Sequence, residues 1–405
     1  MPCAAGTGGS VTRAPGVDPA ARTRVREDVA MSEHSGSQGG AGDPGDLVQL
    51  LTPEGVRVDH PDFSFGGSDE QVAGYLRDMM MTRRIDAEAT ALQRQGELGL
   101  WASCLGQEAA QIGSGRSLKQ QDVAFPSYRE HGVAWCRGVP PLQLLAMFRG
   151  TDLGGWDPHE KNFFLYSIII GSQTLHATGY AMGMEADGVV GNDDPDRDAA
   201  VISYFGDGAT SQGDVNEAFV FSASYQAPVV FFCQNNQWAI SEPSERQSRI
   251  PLYRRASGFG FPGVRVDGND VLAVRAVTEW ALDRARSGQG PTLIEAYTYR
   301  MGAHTTSDDP TKYRMAAELE HWRLKDPIER VRAYLQRSGG IDDDWLAAVN
   351  AEADALAKDL RSGCLALPDP DPVASFGWVY EEQTPYLAEQ QARYAEYVAS
   401  FEGEH

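Results

Sequence analysis

Asp207 stands between two glycines, and an asparagine pair, Asn235-Asn236, follows after a spacer of 26 residues (209–234). A carboxylate and an amide oxygen are hard ligands suited to Mg²⁺, which prefers an octahedron of oxygens and commonly takes some of them from phosphates. Asp207, the Asn236 side chain and a backbone carbonyl just beyond it, that of Trp238, supply three; a diphosphate and water complete the shell. Gly206 and Gly208 let the backbone, with Ala209 next to them, approach an anion without a Cβ in the way. Each half alone reads as an ordinary turn. The pair, joined by a segment that reads as helix and then buried strand, points to a metal–diphosphate site.

That chemistry needs two neighbouring strands with aligned tips. "AVISYF" (200–205) and "PVVFFC" (228–233) are apolar runs of strand length, with a helical pattern from Asp214 to Tyr225 between them. "VRVDG" (264–268), a helix over 270–287 and "TLIEAYTY" (292–299) repeat the scheme. Apolar strands alternating with helices predict an α/β fold, a doubly wound and mostly parallel sheet with both faces covered. In such a sheet ligands bind beyond the carboxyl ends of the strands. Adjacent strand tips would lie about 5 Å apart. The helix from Asp214 would offer free N–H groups to a phosphate.

Upstream, a helix starts at Ser68 and stops at Gly96, and the small-residue stretches 104–118 and 172–186 read as close-packing helices. "DVAFPSYREHG" (122–132) reads as a loop with a turn. Residues 1–46 are rich in Gly, Ala, Ser and acids and are expected to be a disordered tail, with Met31 as a second candidate start. The α/β domain that would carry the metal–diphosphate site is expected over 47–375 and a C-terminal helical tail over 376–405.

The net charge of −22 argues against nucleic acid, because nothing supplies a wide basic field. No apolar run is long enough to span a bilayer. Five cysteines with no C-x-x-C fit reduced thiols in a cytoplasmic protein, or a mitochondrial matrix one if the source is eukaryotic. "GFGFPG" (258–263) matches a nucleotide-binding glycine pattern, but no strand precedes it and Pro262 lies inside it, so NAD binding is rejected.

Gly-Asp-Gly, the spacer and Asn-Asn look like the thiamine-diphosphate motif. With "GQEAAQ", "SYREHG", "QNNQWAIS" and "YRMGAHTTSDDPTKYR", the chain from about Pro61 onward resembles α subunits of the decarboxylating component of 2-oxo acid dehydrogenase complexes, most of all the branched-chain type. The resemblance implies a thiamine-diphosphate-binding fold and oxidative decarboxylation of a 2-oxo acid. It implies acyl transfer to the lipoyl group of an acyltransferase, and an α2β2 assembly whose β subunit brings the glutamate that activates the cofactor. It places His304 against the cofactor, holding its diphosphate and assisting acyl transfer; Arg300, in the same stretch, would support the loop or the phosphates. Taken alone, His304 fits an exposed loop histidine equally well. It puts Tyr128 and Arg129 at the diphosphate and Ile170 at the aminopyrimidine, and likens Gly171, Ser172 and Gln173 to a stretch that binds structural K⁺ in some relatives. Thr305 occupies a position phosphorylated in some. Gln234 departs from an arginine that contacts phosphate elsewhere. Phe163, Phe164, Tyr166 and Tyr128 line the substrate pocket or belong to the core. A pyruvate or acetoin dehydrogenase α subunit is the alternative, and a non-catalytic scaffold a further one.

Overall fold

A computed structural model describes residues 47–152 and 155–401. The expected N-terminal tail and Met31 lie outside the described residues. The strands are β1 (Leu47–Val48), β2 (Val123–Phe125), β3 (Val201–Gly206), β4 (Val229–Asn235), β5 (Trp238–Ala239), β6 (Glu242–Pro243), β7 (Gly263–Asp267) and β8 (Thr292–Tyr297). Six form one parallel sheet in the order β1-β7-β8-β4-β3-β2, and β5 and β6 pair as a small antiparallel hairpin.

Side-chain alternation divides the sheet between two cores. Ile202, Tyr204, Val230 and Phe232 join the core under helices 69–94, 108–115 and 271–286, whereas Val201, Phe205, Val229 and Phe231 join the one under 172–186 and 213–225. With both faces covered, the central strands are apolar throughout, which is why they read as continuous runs rather than alternating ones.

Three local expectations need correction. The segment 122–132 is not all loop: Val123–Phe125 pairs with β3, and a short helix begins at His131. Its three strand residues are too few to show a period in sequence. Only Glu108–Gly115 of the stretch 104–118 is helical. The helix expected near Asp214 begins at Gly213, but a 3₁₀ turn over Asp207–Ser211 stands between it and the strand, so the N–H groups next to Asp207 belong to that turn.

One side chain ties the segment just after the edge strand β1 to a neighbouring helix. Asp270 caps helix 271–286, accepting from the N–H groups of Leu272 at 3.0 Å and Ala273 at 3.1 Å, while its other oxygen accepts from Leu50 N at 2.7 Å and Leu51 N at 2.6 Å. At the far end of the chain, helix 385–399 has no buried residue and touches the 3₁₀ turn Ala374–Trp378, with Phe376 and Tyr394 ring centroids 5.8 Å apart. Among the described residues no helix is long and apolar enough to cross a membrane.

Asp270→Ala removes a cap and leaves two buried N–H groups unpaired. A destabilisation of about 3 kcal/mol is expected, the sum of a cap of about 1 and two orphaned donors of about 1 each. Chemical denaturation of the unaltered and variant proteins measures it.

Candidate active site

β8, β4, β3 and β2 are consecutive neighbours, and each delivers a candidate group from its carboxyl end. β3 ends at Gly206 and hands on Asp207; β4 ends at Asn235 and hands on Asn236. Gly206 pairs with Gln234, so the two ligand candidates emerge side by side. Past β8 the pairing continues irregularly: Thr298 N donates to Asn235 O at 2.9 Å and Arg300 N to Asn236 O at 3.2 Å. That brings the loop carrying Arg300 and His304 alongside Asn236. Tyr128 and Arg129 follow β2.

The turn after Asn236 is bent by a left-handed residue. Gln237 has φ +70°, a conformation that costs a non-glycine residue about 1 kcal/mol. It is held there by three bonds: its N–H to Asn235 Oδ1 at 3.1 Å, its Nε2 to Thr298 O at 2.7 Å, and Tyr297 OH to its Oε1 at 3.1 Å.

Asp207 is 2% exposed. Burial pushes its carboxyl up to about 6, against the pull of Ser244 and the Arg300 charge. The partner of its Oδ2 is a hydroxyl, Ser244 Oγ, at 2.5 Å. Asn236 donates its amide N–H to Gln107 Oε1 at 3.1 Å, while its Oδ1 accepts from Trp238 N at 3.2 Å. The Trp238 carbonyl accepts from Arg300 Nη1 at 3.0 Å, so a guanidinium already uses one of its two lone pairs. Among the described residues no three His, Cys, Asp or Glu side chains converge as a metal centre. The set of one carboxylate, one amide and one carbonyl fits a hard cation that takes its remaining oxygens from phosphate and water.

The two glycines play different parts. A Cβ on Gly206 would meet nothing within 4 Å, leaving open space beside Asp207. A Cβ on Gly208 would lie 2.7 Å from Ala239 Cβ, so the β5–β6 hairpin itself demands this glycine. Ala209 is buried behind them.

Facing this acid is a cationic group. Arg129 Nη2 donates to His304 O at 2.8 Å and lies 3.3 Å from His304 Nδ1; Arg300 Nη1 lies 3.4 Å from the same nitrogen. Both guanidiniums can only donate, so Nδ1 is an acceptor and the imidazole proton sits on Nε2. Burial and then the two arginines push His304 down to about 4, and burial followed by Arg129 pushes Arg300 down to about 10. Arg300 is fully buried, and its Nε is without a hydrogen-bond partner. Two buried guanidiniums crowding one neutral imidazole make a place for an anion. Asp308 accepts from His304 N at 2.8 Å and from the Tyr313 hydroxyl, which also accepts from Arg300 Nη2 at 2.9 Å. Tyr128 is half-buried, edge-on to His304 with centroids 6.2 Å apart.

Gln234 spends its amide inside the chain: its Nε2 donates to Glu130 Oε1 at 2.8 Å and its Oε1 accepts from Gln111 Nε2 at 3.2 Å. Burial raises Glu130 to about 7. The same Gln111 Nε2 donates to Arg129 O at 2.9 Å, and Glu130 Oε2 accepts from Arg129 N at 3.2 Å, so this chain clamps the Arg129 backbone. Ile170 is half-buried ahead of Gly171, which turns the chain at φ +91° into helix 172–186. Ser172 Oγ donates to Ile169 O at 2.8 Å, and Gln173 Nε2 to Tyr204 O at 2.8 Å, leaving Gln173 Oε1 buried without a partner.

Phe163 and Tyr166 are core residues packed around Trp156, and Phe164 stacks on Phe125 at 4.1 Å. His131, whose proton on Nε2 goes to Ala102 O at 2.8 Å, accepts from Tyr166 OH at 2.8 Å and stacks on Trp101; burial pushes it down to about 3. Sequence reasoning missed Ser244, Gln107, Gln111 and Glu130. Gln107 and Gln111 lie in "GQEAAQ" and Glu130 in "SYREHG", but no spacing rule marks Ser244.

A parallel sheet whose strand tips gather one buried carboxylate, one amide and a cationic loop defines a class of cofactor-binding α/β enzyme. The chain belongs to the dehydrogenase E1 component family, whose model matches residues 76–362. It is 45% identical over 345 residues to a protein of Mycobacterium tuberculosis named 3-methyl-2-oxobutanoate dehydrogenase subunit alpha, covering 85% of this chain and 92% of that one. It is 37% identical over 367 residues to the pyruvate dehydrogenase E1 component subunit alpha of Staphylococcus aureus, covering 87% and 93%.

The His304 geometry is testable by chemical modification. Carbethoxylation of His304, followed by peptide mass spectrometry across pH, should show a midpoint well below the ordinary 6.5. In Arg129→Met the midpoint should rise, because one repelling charge is gone. A midpoint near 6.5 in the unaltered protein contradicts this description of the site.

Proposed function

We propose that this chain is the α subunit of a branched-chain 2-oxo acid dehydrogenase that binds thiamine diphosphate through Mg²⁺. The observation that carries the reading is the meeting of Asp207 and Asn236 at the tips of two adjacent strands, opposite Arg129, Arg300 and His304. The 45% relative favours the branched-chain acid over pyruvate.

Asp207, Asn236 and the Trp238 carbonyl hold the cation. Arg129 and His304 meet the diphosphate, with Tyr128 beside them. A guanidinium fork suits phosphate oxygens, and its charge balances theirs. The backbone of Gly206, Gly208 and Ala209 borders the diphosphate across the space open beside Gly206, and Ile170 holds the aminopyrimidine through backbone groups. The orphaned Gln173 Oε1, next to Gly171 and Ser172, suits a structural K⁺. Bound thiamine diphosphate supplies the electron sink that lets a 2-oxo acid lose CO₂. His304, neutral at pH 7 with its proton on Nε2, can donate a hydrogen bond from that nitrogen to an oxygen of the reacting acyl group. Arg300 fixes the loop that presents it, through Trp238 O at 3.0 Å, Ile240 O at 2.7 Å and the Tyr313 hydroxyl.

The working enzyme is an α2β2 assembly. The β subunit completes the site, and a lipoyl-bearing acyltransferase receives the acyl group. Phosphorylation of Thr305 would place negative charge beside His304 and repel the diphosphate.

In the chain assembled with its β subunit, Asp207→Ala should weaken Mg²⁺-dependent thiamine diphosphate binding more than ~100-fold by calorimetry, a loss larger than removing a group that only orients a metal ligand causes. Unchanged affinity would remove Asp207 from the site. Turnover of 3-methyl-2-oxobutanoate should exceed that of pyruvate. The reverse preference would keep the site and move the protein to the pyruvate-type enzyme.

A further inference from the structure

We propose that Ser244 and Gln107 are positioning residues for the cation site, each holding one of its two side-chain ligands with an oxygen turned toward the cation. This rests on the reading of Asp207 and Asn236 given above. Neither residue belongs to the ligand set.

Ser244 Oγ lies 2.5 Å from Asp207 Oδ2 and 3.2 Å from Asn235 Oδ1. A hydroxyl has one proton to give, and the shorter contact and the charged acceptor assign it to Asp207. One lone pair of Oδ2 is thereby engaged, which fixes the rotation of the carboxylate that is to meet the cation. The grip is built by the segment that also supplies the other ligands. After Asn236 and Trp238 the chain turns through the β5–β6 hairpin, and Ser244 N donates to Gln237 O at 3.1 Å, which folds Ser244 back against the tip of β3.

Gln107 does the corresponding work for Asn236. It is fully buried at the start of helix 108–115, and its Oε1 accepts from Asn236 Nδ2 at 3.1 Å. An acceptor on that side fixes which end of the Asn236 amide is nitrogen, and so turns its oxygen away from Gln107. The other atom of the Gln107 amide, Nε2, is buried and has no hydrogen-bond partner. A buried donor left unpaired is costly. Placed beside Asn236, it suits a cation-bound water or a phosphate oxygen.

The test uses Mn²⁺ as probe, with thiamine diphosphate and the chain assembled with its β subunit; free Mn²⁺ is counted by electron paramagnetic resonance. Loss of a group that orients a metal ligand costs about 10-fold or more in affinity. Ser244→Ala should show that loss while its metal-free melting temperature stays near that of the unaltered protein. Ser244→Thr, which keeps the hydroxyl, should recover most of it. Wild-type-like Mn²⁺ affinity in Ser244→Ala overturns the proposal. If Ser244→Ala does not assemble, Gln107→Met decides: a similar loss sustains the proposal and unchanged affinity overturns it. Failure of the unaltered protein to bind Mn²⁺ overturns the cation site itself, and is seen before any variant is made.

Discussion

Asp207 follows directly on a central strand with its carboxylate nearly sealed from water, and a charge taken out of water costs several kcal/mol unless something of opposite sign or several donors receives it. Here a serine hydroxyl occupies one oxygen, and burial still lifts the group to about 6. The surroundings make sense as a response to that charge. The neighbouring strand brings an amide, the next brings Arg300, and open space lies beside Gly206. A parallel sheet can do this because all its strands end on the same side, so four consecutive strand tips meet over one patch.

The opposite half of the site carries the complementary excess. Arg129, Arg300 and His304 would repel one another if all were charged, and the imidazole yields by staying neutral. Backbone carbonyls, those of Ser103, His304, Trp238 and Ile240, anchor the guanidiniums. Carbonyls orient a cation without cancelling it, so net positive charge remains for a ligand. The site is thus polarised: a cation-seeking acid at the tip of β3, an anion-seeking cluster over β2 and β8. The magnesium diphosphate of the proposed function would meet both ends at once.

Gln234 precedes the asparagine pair without bringing charge to the site. An arginine there would have added a third positive charge. The glutamine instead joins Gln111 and Glu130 in a buried chain that holds the Arg129 backbone from both sides. Under the proposed function the charge offered to phosphate then falls to Arg129, with the neutral His304 beside it.

Sequence alone carried the repeating strand–helix scheme, because strands buried on both faces must be apolar along their length and helices must cover them. It pointed to Asp207 and Asn236 as groups leaving two adjacent strand ends, because glycines around an acid and an asparagine pair at that spacing have few structural uses together. It could not show β1 or the three-residue β2, which are too short to have a period. Nor could it show that Gly208 answers to Ala239, that Phe163 and Tyr166 are core, or that His131 is a buried neutral histidine while His304 faces two arginines. Ser244 is 37 positions from Asp207, and Gln107 is 129 from Asn236. Such contacts are made by the turn after β4 and by a helix packed under the sheet. Local spacing encodes which groups leave the strand tips; only the packed fold decides which partner each one meets, and so its charge.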